Sequence, residues 1–123
     1  MANTAFEAIT KRQAYYSAQK LDKYYGVQWS TSGRLELADG SRPFAGVVEY
    51  GTDDAEQMAT VVMGIYPCVA GEAKLAANTL VTFSDGKVVK AASGTALGMT
   101  ISAGTSVDDL VGVVLFDAPY SIT

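Results

Sequence analysis

An Asp85-Gly86 dipeptide separates two runs, Leu80 to Phe83 and Lys87 to Ala91, that are rich in β-branched and apolar residues. Asp-Gly between such runs is the strongest short-range hairpin signal, because a type I′ turn needs positive φ at both central positions. With Asp85 and Gly86 in the loop, Phe83 faces Val88, Thr82 faces Val89, Val81 faces Lys90 and Leu80 faces Ala91. One face of the hairpin then carries Val81, Phe83 and Val88, and the other Leu80, Val89 and Ala91. A hairpin with one wet side would alternate cleanly, so the pattern predicts cover on both sides, from a second sheet or another subunit.

Further short β-rich runs recur around it: Arg34 to Leu37, Phe44 to Tyr50, Gln57 to Met63 with Gly64 to Val69 beyond it, Ala96 to Ser102, and Leu110 to Phe116. Turn signals separate them at Asp39-Gly40, Gly51-Thr52-Asp53-Asp54 and Gly104-Thr105-Ser106. Short strands at this spacing, in a chain of 123 residues, predict one mainly β domain, a small antiparallel barrel or sandwich over residues 27–123. The first 26 residues read differently. Thr4-Ala5-Phe6-Glu7 has the form of a capping box, Ala14, Ala18, Leu21 and Tyr25 fall on one helical stripe, and Gly26 suits a left-handed stop. These signals predict an N-terminal arm, helical from about residue 5 to 25 or else extended on a partner.

Residues 1–25 contain Lys11, Arg12, Lys20 and Lys23 against Glu7 and Asp22, a net of +2 in a chain whose net charge is -4. The arm therefore suits an acidic surface, or is an ordinary solvated face. Its pairs Tyr15-Tyr16 and Tyr24-Tyr25 suit an interface, being apolar rings with a wet edge, or dock the arm on its own sheet. The net negative charge argues against a general nucleic-acid binder. No run approaches the length of a membrane span, and the N-terminus lacks the apolar core of a secretory signal, so a protein made and kept inside a cell is expected.

The inventory for catalysis is thin. The chain has no histidine and a single cysteine, Cys68, inside the apolar run from Gly64 to Ala70, where a buried small hydrophobe is expected. Asp53-Asp54 and Asp108-Asp109 sit at turns, where aspartate serves backbone hydrogen bonds and neighbours diverge. No glycine cluster has phosphate-loop spacing. A nucleophile would need Lys74, Lys87 or Lys90 as its base, and these lie in or beside the hairpin as ordinary solvated lysines. The chain is read as a non-enzyme without catalytic, cofactor or metal-binding residues.

The order Val69-Ala70-Gly71-Glu72-Ala73, Ala77-Asn78-Thr79-Leu80-Val81, Asp85 to Ala91, Ala96-Leu97-Gly98 and Val111 to Leu115 resembles the capsid decoration, or cement, proteins of tailed bacteriophages. The likeness reaches more weakly to Arg42 through Gly51 and spans about half of the chain. The resemblance implies a structural virion protein on the outer surface of the head, made in the host cytoplasm, with the major capsid protein as partner. It also implies a homotrimer that bridges neighbouring capsid subunits, without nucleic acid, membrane or cofactor. Under that reading Tyr15, Tyr16, Tyr24, Tyr25, Lys11 and Arg12 are candidates for capsid contact, and Leu80, Phe83, Val89 and Phe116 for the subunit interface. The front of the chain is longer and more helical in pattern than that family leads one to expect. An alternative reading is a monomeric carbohydrate- or ligand-binding β module, which would need a pocket with exposed aromatic and carboxylate side chains. A fragment of an amidohydrolase or protease would need a base that the sequence lacks.

Overall fold

The structure, a computed structural model, describes residues 7–122. They form nine strands: β1 (Ala8–Tyr16), β2 (Gly26–Trp29), β3 (Leu35–Leu37), β4 (Phe44–Tyr50), β5 (Met58–Val69), β6 (Leu80–Ser84), β7 (Lys87–Lys90), β8 (Gly94–Thr100) and β9 (Leu110–Ile122). All named strand pairs are antiparallel, in the order β3-β2-β4-β5-β9-β8-β6-β7, and β1 adds to β5, making an all-β half-barrel.

Strand β5 is the spine. Thr60, Val61 and Val62 pair with both β1 and β4, and Ile65 pairs with both Ala8 of β1 and Val114 of β9. One edge of β5 therefore carries β1, and the other carries β4 and then β9. Residues 61–69 of this strand are buried on both faces apart from the half-buried Ile65, which is why Val61 to Val69 reads as a nearly unbroken apolar run instead of alternating. Pro67, which has no N–H to donate, falls beyond the end of β1, where among the described residues only the β9 edge is paired.

The period of two along β4 and β5 divides the apolar interior. Val47 and Val62 face a larger cluster with Tyr66, Val81, Phe83 and Val113, while Val48 and Val61 face a smaller one with Leu21, Val27 and Leu35. Val47, Val48, Val61 and Val62 are each at most 1% exposed, so this wall is dry on both sides.

The hairpin register is the one expected. Val81 pairs Lys90, Thr82 pairs Val89 and Phe83 pairs Val88, Ala91 N–H donates to Leu80 C=O, and Asp85 and Gly86 have φ of 49° and 79°. The turn docks on the far end of the sheet: Gly86 N–H donates to Ala38 C=O at 2.9 Å, and Gly26 N–H donates to Gly86 C=O at 2.7 Å. One hairpin face, Val81, Phe83 and Val88, is core. On the other, Ala91 is buried but Leu80 and Val89 stay half-buried, with Gly71 N–H on Val88 C=O as partial cover.

The N-terminal segment corrects the helical expectation. The described residues contain no helix; 8–16 form β1, and 17–25 return across the small cluster as a loop. Helical spacing of Ala14, Ala18 and Leu21 is overridden because eight residues of β1 pair with β5 along one edge and Leu21 enters the core from the loop. Thr4 of the proposed capping box lies outside the described residues. Gly26 is not a helix stop either: it begins β2, and a Cβ there would meet the Phe83 ring, 2.6 Å from Cε2. The left-handed residue is Tyr24, with φ 75°.

Candidate functional site: the exposed first strand

Eight of the nine β1 residues are exposed on a strand that pairs with β5 along one edge, and only Ile9 packs against the core. Gly64, with φ 113°, sits where β1 is bulged at Thr10; a Cβ there would lie 2.8 Å from the Thr10 nitrogen. The bulge brings Lys11, Gln13 and Tyr15 to one face of the sheet, and Arg12, Ala14 and Tyr16 to the other.

On the Arg12 side, the guanidinium makes two hydrogen bonds to Glu49, Nε to Oε1 at 2.7 Å and Nη2 to Oε2 at 2.9 Å. Glu49 is 9% exposed, and the bond from Arg12 holds its carboxyl below the usual carboxylate range against the opposing effect of burial. Arg12 thus clamps β1 to β4 across β5. Beyond this clamp the face opens: Tyr16 pairs Met58, Ala14 pairs Thr60, and Thr60 pairs Tyr50. Tyr50, Met58 and Tyr16 are 64%, 56% and 44% exposed, a contiguous apolar surface on three adjacent strands. Arg34 lies 5.4 Å from the Tyr16 ring centre and pairs with Glu56 at 3.0 Å, giving the patch a polar rim.

On the Lys11 side, β1 forms one wall of a surface cleft of about 370 Å³ with Trp29, Phe44, Met63 and Asp117 among its other lining residues. Tyr15 meets Trp29 edge to face, with ring centres 5.4 Å apart.

The residues singled out for capsid contact are therefore divided. Tyr15 and Tyr16 are exposed at the end of β1, Arg12 is engaged with Glu49, and Lys11 lines the cleft. Tyr24 and Tyr25 are half-buried elsewhere: Tyr24 packs 5.7 Å from Tyr66, and the Tyr25 ring lies 6.0 Å from the Lys87 ammonium. Of the subunit-interface candidates, Phe83 is 1% exposed and stacked on Phe44 at 4.9 Å, so its side chain is consumed by the core of its own protomer. Leu80, Val89 and Phe116 are half-buried and retain open surface. Sequence reading missed Tyr50, Met58 and Trp29. Tyr50 ends an expected strand, but only pairing of β1 to β5 reveals that it shares a surface with Tyr16.

Groups with conventional reactivity are placed for structure. Cys68 is fully buried and burial pushes its thiol up, as it does the Tyr66 phenol. Asp109 accepts from the backbone N–H of Ser106 and of Thr105, both at 2.9 Å, which lowers its carboxyl pKa, while Asp108 pairs with Lys87 at 2.8 Å. Among the described residues no group of three or more His, Cys, Asp or Glu side chains is placed to hold a metal ion.

An all-β half-barrel with one strand laid open on both faces is the class that fold and site define. No protein-family model matches the sequence, and no curated protein matches it. Among solved structures, the fold is similar to the N base of head fiber gp8.5 in bacteriophage phi29, with a TM-score of 0.70 and 14% identity. The match covers 91% of this chain and 100% of the other. The structural match is to a head fiber base and not specifically to a decoration protein.

Proposed function

We propose that this chain is a non-enzymatic structural protein of a bacteriophage virion, seated on the outer surface of the head and in contact with the major capsid protein. The observation that carries the reading is the open surface of Tyr16, Met58 and Tyr50 on a fold similar to a phage head fiber base. Exposed rings beside a half-buried ion pair form a contact surface that excludes water at its centre and tolerates it at the rim. Tyr16 faces the capsid, and the Arg12–Glu49 clamp holds β1 in position for that contact.

Three copies joined through Leu80, Val89 and Phe116 would bridge neighbouring capsid proteins. Each copy adds one weak contact, and linking three raises occupancy far above that of one. A protein that binds only the assembled shell stabilises it by mass action.

Co-sedimentation with purified heads of the parent phage tests attachment. Wild-type chain pellets with heads, and a Tyr16→Ser/Met58→Ser/Tyr50→Ser variant stays in the supernatant; equal pelleting of both would overturn the assignment of the face. Light scattering tests assembly, with three times the chain mass expected and Val89→Asp reducing it to one.

A further inference from the structure

The cleft beside β1 has a lining that head attachment does not use. Thr10, Lys11, Gln13 and Asp117 line it, all four solvent-exposed, and none of their side chains hydrogen-bonds or ion-pairs with another described residue. Polar side chains of neighbouring regions are committed: Arg12 to Glu49, Gln28 to Glu36 and Asp39, and Arg34 to Glu56. Gathering four polar side chains without a partner among the described residues around one concavity, with the half-exposed Trp29 as an aromatic wall, is a ligand-binding arrangement.

The chemistry of the lining selects the ligand. One carboxylate is too few to hold a metal cation. Asp117 beside Lys11 disfavours a phosphate or a nucleic-acid backbone, and the number of polar groups disfavours a purely apolar guest. What remains is a neutral, flat molecule with an apolar face and a rim of groups that both donate and accept. A pyranose sugar has that form: its C–H face rests on an indole, while its hydroxyls donate to Asp117 and exchange hydrogen bonds with Gln13, Lys11 and Thr10. About 370 Å³ is ample for a single sugar residue.

We propose that this cleft is a saccharide-binding site that takes one pyranose unit of a polysaccharide. It lies on the opposite face of β1 from Tyr16, so sugar and head contact can be engaged together.

Trp29 is the single tryptophan of the chain, so its intrinsic fluorescence reports on the cleft without labelling. Isolated protein is titrated with the methyl glycosides of glucose, galactose, mannose and N-acetylglucosamine. At least one is expected to give a saturable change, with a dissociation constant on the order of 1 mM for so small a ligand. Asp117→Asn and Gln13→Ala should each weaken binding by about tenfold at unchanged melting temperature. Tyr16→Ala, on the other face, should leave it unaltered. Absence of saturation with every glycoside up to about 100 mM, or wild-type affinity in both cleft variants, overturns the proposal. Because no heads are present, that result is separate from the fate of the attachment assay.

Discussion

Strand β1 and the β6–β7 hairpin both lie at the margins of one sheet, yet they are treated in opposite ways. The hairpin turns its large side chains inward, with Val81, Phe83 and Val88 at most 1% exposed, and anchors its turn on Gly26 and Ala38 through the backbone. Strand β1 offers both of its faces to solvent and places Tyr15 and Tyr16 at 40% and 44% exposure. Natural sheets blunt exposed edges with charge, bulges or short length. Here Lys11, Arg12 and the bulge at Thr10 meet that need at one end of β1, whereas the other end is left aromatic. The contrast teaches that the hairpin holds the fold, while β1 is held by the fold with its side chains left open.

The largest effect that separates the two regions is expected at Phe83. Truncation to alanine removes a ring stacked on Phe44 at the centre of the main cluster and should cost about 3–5 kcal/mol in denaturant unfolding. A comparable loss from Tyr16→Ala would erase the distinction between the regions.

Gly64→Ala should cost less, about 1–3 kcal/mol, because the new methyl strains a left-handed position and presses on the Thr10 backbone. The loss should be local. Hydrogen exchange should accelerate along residues 8–16 while the amides of β6 and β7 keep their protection.

A smaller effect is expected from acid. Glu49, through Arg12, and Asp39, through the Ser41 hydroxyl, both have lowered carboxyl pKa values in the folded protein. Groups depressed in this way contribute stability above their unfolded values, near pH 4, and that contribution disappears as pH falls through the folded values. Melting temperature should therefore decline below about pH 4. Glu49→Gln should lower it at neutral pH and flatten part of that decline; an unchanged profile would mean that the clamp adds nothing to β1.

The smallest change in stability, within about 0.5 kcal/mol, is expected from serine at Tyr16 or Met58, both surface positions. A chemical-denaturation midpoint shift well beyond that would place these residues in the structural half of the comparison.

The same contrast governs what the sequence disclosed. The hairpin was legible down to its register because Asp85-Gly86 fixes turn type and turn type fixes pairing. Strands β3, β4, β5, β8 and β9 were legible from local β-rich runs between turn residues, although β9 extends to Ile122, past the expected end at Phe116. Strand β1 was not legible. With both faces exposed it has no alternation to detect, and its Ala, Lys, Arg and Gln are good helix formers, so local preference pointed away from the observed state. Its conformation is dictated by the free edge of β5, which is a tertiary fact. Strand β2 was missed for a related reason: Gly26 looked like a terminator, when its lack of a side chain makes room for Phe83. The proposed contact surface followed β1, since Tyr50, Met58 and Tyr16 are separated in the chain and are brought to one face by the β1–β5–β4 pairing.

The central claim is that β1 and its neighbours form the surface by which this protein sits on a phage head. Cryo-EM of parent heads, with and without added chain, tests it most directly. The account predicts density for the half-barrel on the outer shell, with Tyr16, Met58 and Tyr50 turned toward the capsid protein. Density with that face directed to solvent, or heads that carry no added density at saturating protein, would contradict it.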